Sequence, residues 1–311
     1  MSQAIELIEV TKSFRTQIAV DGLSLKVPQG CIYGFIGPNG SGKTTTLRMI
    51  LRIYQPDSGQ VIVLGQSHGK VADDRVGYLP EERGLYKRMK VVDLIDYYSR
   101  LKGKPNSKND IHRWLDRMGA NEWAHKKIDA LSKGMAQKVQ FISAVIHQPQ
   151  LLILDEPFSG LDPVNMEVLR DAVLDLRRQG TTIVFSTHDM DMAEQLCDYI
   201  FMIYRGNKVL DGTLDSIQAA YPANRVRLKL ADSNAKLEEH PWILDPQRNG
   251  RGYELRIPSP DVANQLLRHL STAHSVEYFE LVRPSLHDIF IGIAGPEARQ
   301  AILAEPSGTE A

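Results

Sequence analysis

The segment CIYGFIGPNGSGKTTTLRMI, residues 31–50, constrains the fold of this chain more than any other stretch. It opens with an apolar run that predicts a buried strand, and Leu47, Ile50 and Leu51 share one face of a predicted helix. Between them lies the pattern Gly-x-x-x-x-Gly-Lys-Thr, whose glycines let backbone N–H groups approach phosphate oxygens. The helix dipole adds positive potential at the same place. A chance glycine-rich turn does not explain the Lys-Thr ending and both flanks, so the sequence predicts a nucleotide-phosphate site.

The side chains of this loop have distinct expected roles. Lys43 is expected to reach the β- and γ-phosphates, and the hydroxyl of Thr44 is expected to reach Mg²⁺. The loop residues predicted to bind nucleotide are Gly37, Pro38, Asn39, Gly40, Ser41, Gly42, Lys43, Thr44 and Thr45.

A second apolar run, at residues 151–154, is typical of a central parallel strand and ends in two carboxylates. Asp155 can hold the hydration shell of Mg²⁺, and Glu156 can polarise the water that attacks phosphorus. A lone Asp-Glu pair is usually a solvated strand end, but the upstream phosphate loop favours the catalytic interpretation. His188 follows a third apolar strand, at the edge where open α/β sheets bind ligands. A lone histidine is more often structural, but this position favours a γ-phosphate contact. The predicted catalytic residues are Glu156, His188 and Lys43.

The order of these motifs carries a family resemblance. After the phosphate loop come LSKGM at residues 131–135, LLILDEP at 151–157, SGLD at 159–162 and STH at 186–188. Together they resemble the nucleotide-binding subunit of an ATP-binding cassette (ABC) transporter, and the resemblance extends over most of the first two thirds of the chain.

The resemblance implies an α/β fold of the P-loop NTPase class, ATP and Mg²⁺ as cofactors, and hydrolysis of the β–γ bond. It also implies a homodimer with two ATP molecules between its subunits. In that dimer Ser132 and Gly134 contact the ATP of the opposite subunit, and Asp162 lies in the loop that communicates across the interface. Phe14 stands where the family stacks an aromatic ring on adenine; the alternative is an ordinary core phenylalanine.

The chain departs from the family pattern in two motifs. The usual Leu-Ser-Gly-Gly-Gln reads Leu-Ser-Lys-Gly-Met, so Lys133 either adds a cationic contact or faces solvent, and Met135 removes an amide near the ribose. The loop GYLPEERGLY, residues 77–86, has Glu81 where the family has glutamine. Glu81 is expected to contact Mg²⁺, because hard cations prefer carboxylate oxygens; alternatively it faces solvent or pairs with Arg83. The predicted metal ligands are Thr44, Asp155 and Glu81.

Apolar residues at helical spacing follow this loop. Val91, Leu94 and Ile95 share one face of a first predicted helix, and Leu115 lies on the apolar face of a second. By resemblance, residues 88–148 form the helical subdomain that meets a membrane permease. The contact candidates are Tyr86, Lys87, Arg88 and Lys90, and the alternative is a solvated loop face.

The pattern changes to that of a small α+β domain near residue 220. NRVRLKL, GYELRI and SVEYFELV predict strands, and SPDVANQLLRHLSTA predicts a helix with a Ser259 cap and Pro260 at its first position. PSLHDIFIGIAG predicts a short helix with a Ser285–Asp288 capping arrangement. This order and the ending RPSLHDIF resemble the accessory domain of ABC-2-type exporters. The expected divisions are residues 1–220 for the ATP-binding domain, 223–295 for the accessory domain and 296–311 for a tail without an assigned role.

Composition indicates which classes of partner and which cellular compartment to expect. A net charge of −1 and a pI of about 6.8 give no reason to expect nucleic acid as a partner. Cys31 and Cys197 predict reduced thiols in a cytosolic protein. The amino terminus lacks a signal-peptide pattern, and no run approaches the roughly 18 apolar residues that span a bilayer. We therefore expect a cytoplasmic subunit that a separate permease holds on the inner face of the cell membrane.

The expected function is ATP hydrolysis in an ABC-2-type export system. One rival is an ABC ATPase without a membrane partner, but such proteins usually carry two cassettes and this chain has a single phosphate loop. Another rival is a sensor that binds ATP without turnover, and the presence of Glu156 argues against it.

Overall fold

The computed structural model of the chain describes residues 2–67, 73–82, 84–105, 108–221, 223–231, 237, 240–250 and 252–303. The described residues form two compact units: the first comprises residues 2–213 and 300–303, and the second comprises Leu214–Arg299. Two features of the sequence lie outside the described residues: Arg83, the alternative partner of Glu81, and residues 304–311 of the expected tail.

The first unit contains most of the helices and strands. In chain order they are β1 (Gln3–Phe14), β2 (Gln17–Pro28), β3 (Ile32–Ile36), α1 (Lys43–Ile50), β4 (Ser58–Val63), β5 (Val76–Leu79), α2 (Val91–Leu101), α3 (Lys108–Arg117), α4 (Lys133–Val145), β6 (Leu151–Asp155), α5 (Pro163–Arg178), β7 (Thr182–Thr187), α6 (Met190–Leu196), β8 (Tyr199–Tyr204) and β9 (Asn207–Gly212).

A six-stranded sheet in the order β5-β6-β7-β3-β8-β9 forms the centre of this unit. Its strands are parallel except β9, which pairs with β8 in the antiparallel direction. Every residue of β3, β6 and β7 is buried. This pattern is typical of strands in a parallel sheet that is covered on both faces. The carboxyl ends of these three strands share one edge, which brings the phosphate loop, Asp155 and His188 to the same place.

An antiparallel sheet in the order β2-β1-β4 accompanies the central sheet. Its buried side chains, among them Ile5, Leu7 and Val20, belong to one apolar cluster with Tyr33 and Phe35 of β3. The strand that precedes the phosphate loop is therefore packed against this second sheet.

Helices α2, α3 and α4 pack on one another and share an apolar cluster with the central sheet. Val91, Leu94, Ile95 and Leu115 are buried in it, as their helical spacing predicted. Phe141 of α4 is fully buried in the same cluster, and the buried residues of this helix run from Gln137 to Val145.

The second unit contains α7 (Leu214–Ala219), β10 (Arg225–Leu230), β11 (Asp245–Asn249), β12 (Gly252–Arg256), α8 (Ala263–Ala273), β13 (Val276–Val282) and residues 286–299 of α9 (Leu286–Leu303). The strands form an antiparallel sheet in the order β11-β12-β10-β13, and α8 buries Leu266 and Leu270 against it. The backbone of α9 breaks from helical geometry at Gly295, where φ is 76°.

Two local predictions for the second unit can be compared with its structure. Ser285 and Asp288 form the predicted cap: the Ser285 hydroxyl accepts from the Asp288 N–H at 3.1 Å, and the Asp288 carboxylate accepts from the Ser285 N–H at 3.3 Å. Ser259 and Pro260 occupy the predicted cap and first positions, but of a 3₁₀ turn at Pro260–Val262 that precedes α8, and the Ser259 side chain makes no capping bond there. Strand β11 was not predicted.

No helix in the described ranges is long and apolar enough to cross a membrane.

Candidate nucleotide-binding site

The loop between β3 and α1 is shaped by two glycines whose places no side chain could take. At Gly37 φ is 156°, and a Cβ atom would lie 2.2 Å from the carbonyl oxygen of Ile203. At Gly42 φ is 112°, and a Cβ atom would lie 2.5 Å from the carbonyl oxygen of Ala19. Both neighbours are backbone atoms, so a side-chain movement cannot relieve either contact. These approaches explain the glycines of the sequence pattern.

Lys43 lies within this loop. Its side chain is 6% exposed, and its ammonium donates to the carbonyl oxygens of Gly37 at 2.6 Å and Pro38 at 3.2 Å. Helix α1 has no acidic residue in its first turn, and Gly42 offers no side chain to cap it. The helix end and the ammonium therefore place positive potential in one position, which can bind the phosphates of a nucleotide.

The remaining loop residues surround this position. Asn39 and Gly40 are exposed, Pro38 and Ser41 are buried, and Thr44 and Thr45 are half-buried in the first turn of α1. The Gly206 N–H donates to the Ser41 carbonyl at 2.9 Å, which ties the loop to the turn after β8.

Asp155 ends β6 beside Thr44. Thr44 Oγ1 lies 3.5 Å from Asp155 Oδ1, and the Ser186 hydroxyl of β7 donates to the same carboxylate oxygen. Burial raises the pKa of Asp155, and the hydrogen bond from Ser186 opposes that shift. A hydroxyl and a carboxylate are the hard oxygen donors that Mg²⁺ prefers, so the residues present fit that cation.

Glu156 occupies a strained position directly after β6. Its φ is 48°, in the left-handed region, which costs a non-glycine residue roughly 1 kcal/mol. The Glu156 N–H donates to the Ser186 carbonyl at 3.2 Å, and the buried Glu156 Oε1 lies 3.1 Å from His188 Nδ1. The same oxygen lies 3.9 Å from the Lys43 ammonium. All three predicted catalytic residues, Glu156, His188 and Lys43, therefore lie together.

Glu81 follows β5, the neighbour of β6 in the sheet. Partial burial raises the pKa of Glu81, and the negative charges of Asp155 and Glu156 raise it further, while Lys43 acts in the opposite direction. The carboxylate therefore lies within the electrostatic field of the site. A direct contact between Glu81 and a metal ion stays a prediction.

Phe14 lies at the carboxyl end of β1 and is 42% exposed. Its ring packs edge-on against Tyr54, with the ring centroids 5.3 Å apart, and the Lys12 ammonium lies 5.6 Å from the Phe14 centroid. The alternative of a buried core phenylalanine is therefore wrong. Stacking of Phe14 on a base stays a prediction.

Helix α4 begins at the LSKGM motif, and Ser132 is its N-cap. The Ser132 hydroxyl accepts from the Met135 N–H at 3.3 Å. Lys133 is exposed and lies along the SGLD loop: a Cβ atom on Gly160 would come within 3.0 Å of the Lys133 ammonium nitrogen. Ser132 and Lys133 are therefore exposed beside that loop, and Gly134 is half-buried.

Asp162 of the SGLD loop caps the following helix, α5. Its carboxylate accepts from the Asn165 N–H at 3.0 Å, and Pro163 occupies the first helical position. That backbone hydrogen bond is the main cause of a lowered pKa of Asp162. A role of Asp162 in communication across a dimer stays a prediction.

Comparison with known proteins decides the family. The model of the ABC transporter family matches residues 20–159, and the model described as "ATP-binding protein DrrA1-3-like, C-terminal domain" matches residues 212–294. The chain is 42% identical to YhaQ of Bacillus subtilis, an uncharacterized ABC transporter ATP-binding protein, over 92% of this chain and 97% of the relative. The chain belongs to the ATP-binding proteins of ABC transporters.

Two further comparisons agree with this assignment. The bacitracin transport ATP-binding protein BcrA of Bacillus licheniformis is 31% identical over 95% of this chain and 98% of the relative. A solved structure of the ATP-binding subunit of an ABC transporter matches with a TM-score of 0.64 and 27% identity, over 70% of this chain and 93% of that one. The family, its ABC-2-type branch with an accessory domain, the P-loop NTPase fold and the ATPase activity expected from the sequence are thus confirmed.

Two residues of this ABC ATPase site were missed by sequence reasoning. Ser186 is fully buried and contacts both Asp155 and the Glu156 N–H. Tyr54 supports the ring of Phe14. A polar residue at the end of an otherwise apolar strand was the available signal for Ser186, and no comparable pattern marks Tyr54.

Proposed function

We propose that this ABC ATPase works as a homodimer that closes around two molecules of Mg·ATP and drives a separate membrane permease in export. The permease holds it on the cytoplasmic face of the cell membrane. The observation that carries the proposal is the carboxylate of Glu156, held beside His188 and Lys43 at the edge of the sheet. The transport of bacitracin named for BcrA supports a role in transport.

The hydrolytic step follows from the positions of these side chains. A water molecule attacks the γ-phosphorus of ATP, the β–γ bridging P–O bond breaks, and ADP leaves. The Glu156 carboxylate accepts a hydrogen bond from that water and polarises it. His188 Nδ1 lies 3.1 Å from Glu156 Oε1 and holds the carboxylate in place, and His188 makes the proposed contact with the γ-phosphate through its other ring nitrogen. The Lys43 ammonium turns from the loop carbonyls to the β- and γ-phosphate oxygens.

The oxygen donors beside the phosphate loop define the proposed cation site. Thr44 and Asp155 would hold Mg²⁺, with Glu81 as a further carboxylate. When bound, the cation supplies positive charge that neutralises the phosphate oxygens.

The dimer completes the site. Exposed Ser132 caps a helix of 13 residues, and the half-buried Gly134 lies in its first turn. The amino end of this helix is suited to bind the γ-phosphate of ATP in the opposite subunit. Asp162 caps the helix next to this motif and lies in the proposed interface.

The surface proposed to contact the permease is an aromatic cluster of Tyr86, Tyr97 and Tyr98. The ring centroids of Tyr86 and Tyr97 lie 5.6 Å apart, and those of Tyr97 and Tyr98 lie 5.7 Å apart. Tyr86 is 52% exposed, and large exposed aromatic rings mark interaction surfaces. The basic residues beside this cluster are Lys87, Arg88 and Lys90.

The test of the proposed function is the variant Glu156→Gln. The neutral amide cannot polarise water, so hydrolysis should fall by about 100-fold or more while ATP binding persists. The dimer should then accumulate with Mg·ATP, and light scattering should report twice the monomer mass.

The control is Glu156→Gln combined with Lys43→Ala, which lacks the phosphate-binding charge and should stay monomeric at the same ATP concentration. A Glu156→Gln protein that stays monomeric at saturating Mg·ATP would exclude the proposed sandwich.

A further inference from the structure

The turn that follows Glu156 fixes the direction of its carboxylate. The Ser159 N–H donates to the Glu156 carbonyl at 3.2 Å, which closes the turn. The ring of Phe158 packs edge-on against Phe185 of β7, with the centroids 6.0 Å apart. Glu156 is the first residue of this turn, so a displacement of the turn moves its carboxylate.

Gln137 of α4 holds the same turn from the helical side. Its side chain is buried, and Nε2 donates to the carbonyl oxygen of Pro157 at 2.5 Å. Pro157 directly follows Glu156. A buried carbonyl that loses its donor keeps its full desolvation penalty, so this short bond resists separation of α4 from the turn.

Helix α4 also reaches two other parts of the site. Its amino end carries Ser132, and Gln140, one turn beyond Gln137, lies 3.5 Å from the Glu82 carbonyl in the loop after β5. A helix is stiff over such a length, because consecutive backbone hydrogen bonds fix its rise per residue. A movement at Ser132 is therefore transmitted to Gln137.

We propose that Gln137 is a positioning residue for hydrolysis, which links the placement of α4 to the direction of the Glu156 carboxylate. The inference rests on the proposed function, since it requires Glu156 to act on water and Ser132 to engage ATP. Engagement of ATP at Ser132 sets the position of α4, and the hydrogen bond from Gln137 carries that position to Pro157. Glu156 then aims correctly at the water only in the closed dimer.

Two substitutions in the full-length protein separate this bond from its surroundings. Gln137→Leu keeps nearly the same volume but removes the donor, and Gln137→Glu keeps the shape but turns an acceptor toward the Pro157 carbonyl. Both should lower kcat for ATP by about 10- to 100-fold, because small misplacements of a catalytic group have large effects on rate. KM should stay within about threefold, because Gln137 does not contact the nucleotide.

A double-mutant cycle with Glu156→Gln distinguishes positioning from a general structural role. In single-turnover assays Gln137→Leu should add less than about a threefold further loss to Glu156→Gln, because no carboxylate is left to orient. A merely structural defect would instead reduce the residual rate by the same factor in both backgrounds.

Ser143→Ala is the matched control. Ser143 is a buried polar residue of the same helix, and its hydroxyl bonds to the Val139 carbonyl within α4. The Ser143→Ala variant should keep kcat within about twofold of the wild type. That result would show that loss of a side-chain hydrogen bond within α4 does not by itself lower kcat.

The outcomes are distinguishable from those of the proposed function. The proposed function fails if Glu156→Gln alone does not dimerise with Mg·ATP. If that variant dimerises, the inference is overturned by a wild-type kcat in both Gln137 variants. It is equally overturned by additive losses in the cycle, or by a Glu156→Gln, Gln137→Leu protein that no longer dimerises.

Discussion

Glu81 adds a third carboxylate to the neighbourhood of Asp155 and Glu156. Partial burial raises the pKa of Glu81, the charges of Asp155 and Glu156 raise it further, and Lys43 offsets part of the shift. A phosphate group adds more negative charge at the same place. The charge of Glu81 is therefore unfavourable when ATP binds without a cation and favourable when Mg²⁺ lies between them.

This balance predicts that hydrolysis depends more steeply on Mg²⁺ concentration in the wild type than in Glu81→Gln. At limiting Mg²⁺ the variant should reach a fraction of its own maximal rate that is about three- to tenfold larger than the fraction reached by the wild type. The reason is that a repulsion of about 1 kcal/mol between Glu81 and the phosphates of ATP is removed. The measurement is ATPase rate against Mg²⁺ concentration at fixed ATP.

Glu82→Gln is the control for this prediction. It removes the same charge one residue further along the exposed loop and should follow the wild-type curve. Superimposable curves for the wild type and Glu81→Gln would mean that Glu81 does not contact the metal ion.

Individual elements show how far the sequence could predict this structure. Strands β3 and β6 were predictable because they are continuous apolar runs. Strand β11 was not, because DPQRN has no apolar alternation and pairs along one edge only with β12. The bond between Ser186 and Asp155 joins two strands distant in sequence, so local patterns carry no signal for it.

Helix α6 shows how a short element positions a catalytic side chain. Asp189 is its N-cap: the carboxylate accepts from the Met192 N–H at 2.9 Å, and the Asp189 N–H donates to Thr187 Oγ1 at 3.0 Å. His188 lies between Thr187 at the end of β7 and Asp189 at the start of α6, which this second hydrogen bond connects. Its backbone is therefore fixed on the side of β7 and on the side of α6.

The cap predicts a combined effect of Asp189→Ala on stability and rate. The free energy of unfolding should fall by about 1 kcal/mol, because one amide of α6 loses its partner. The ATPase rate should fall as well, because His188 loses part of its support. Urea unfolding and steady-state kinetics measure the two effects.

Asp189→Asn is the matched variant, since asparagine caps a helix as well as aspartate does. The Asp189→Asn variant should keep the free energy of unfolding of the wild type, and its ATPase rate should stay within about twofold. Equal destabilisation by alanine and asparagine would show that the charge of Asp189, and not its cap, supports the site.

At the scale of the whole molecule, the apolar clusters follow the division of the chain into two units. Two clusters draw their buried residues from Ala4 to Ile203, and a third draws them from Val226 to Leu270. The nucleotide site described above, from Phe14 to His188, lies within the first unit. Each unit therefore has a core from which it could fold.

This separation predicts that a fragment of residues 1–220 keeps the nucleotide site after removal of the accessory domain. Its affinity for ATP, measured by calorimetry, should match that of the full-length chain within about twofold, because distant sites with separate cores contribute independently. A second fragment that ends at Thr213 lacks α7, where Gln218 Nε2 donates to the Pro284 carbonyl at 3.2 Å in the full-length chain. Both fragments should bind equally well, since that bond belongs to the second unit. An insoluble 1–220 fragment, or one that does not bind ATP, would show that the first unit needs the second in order to fold.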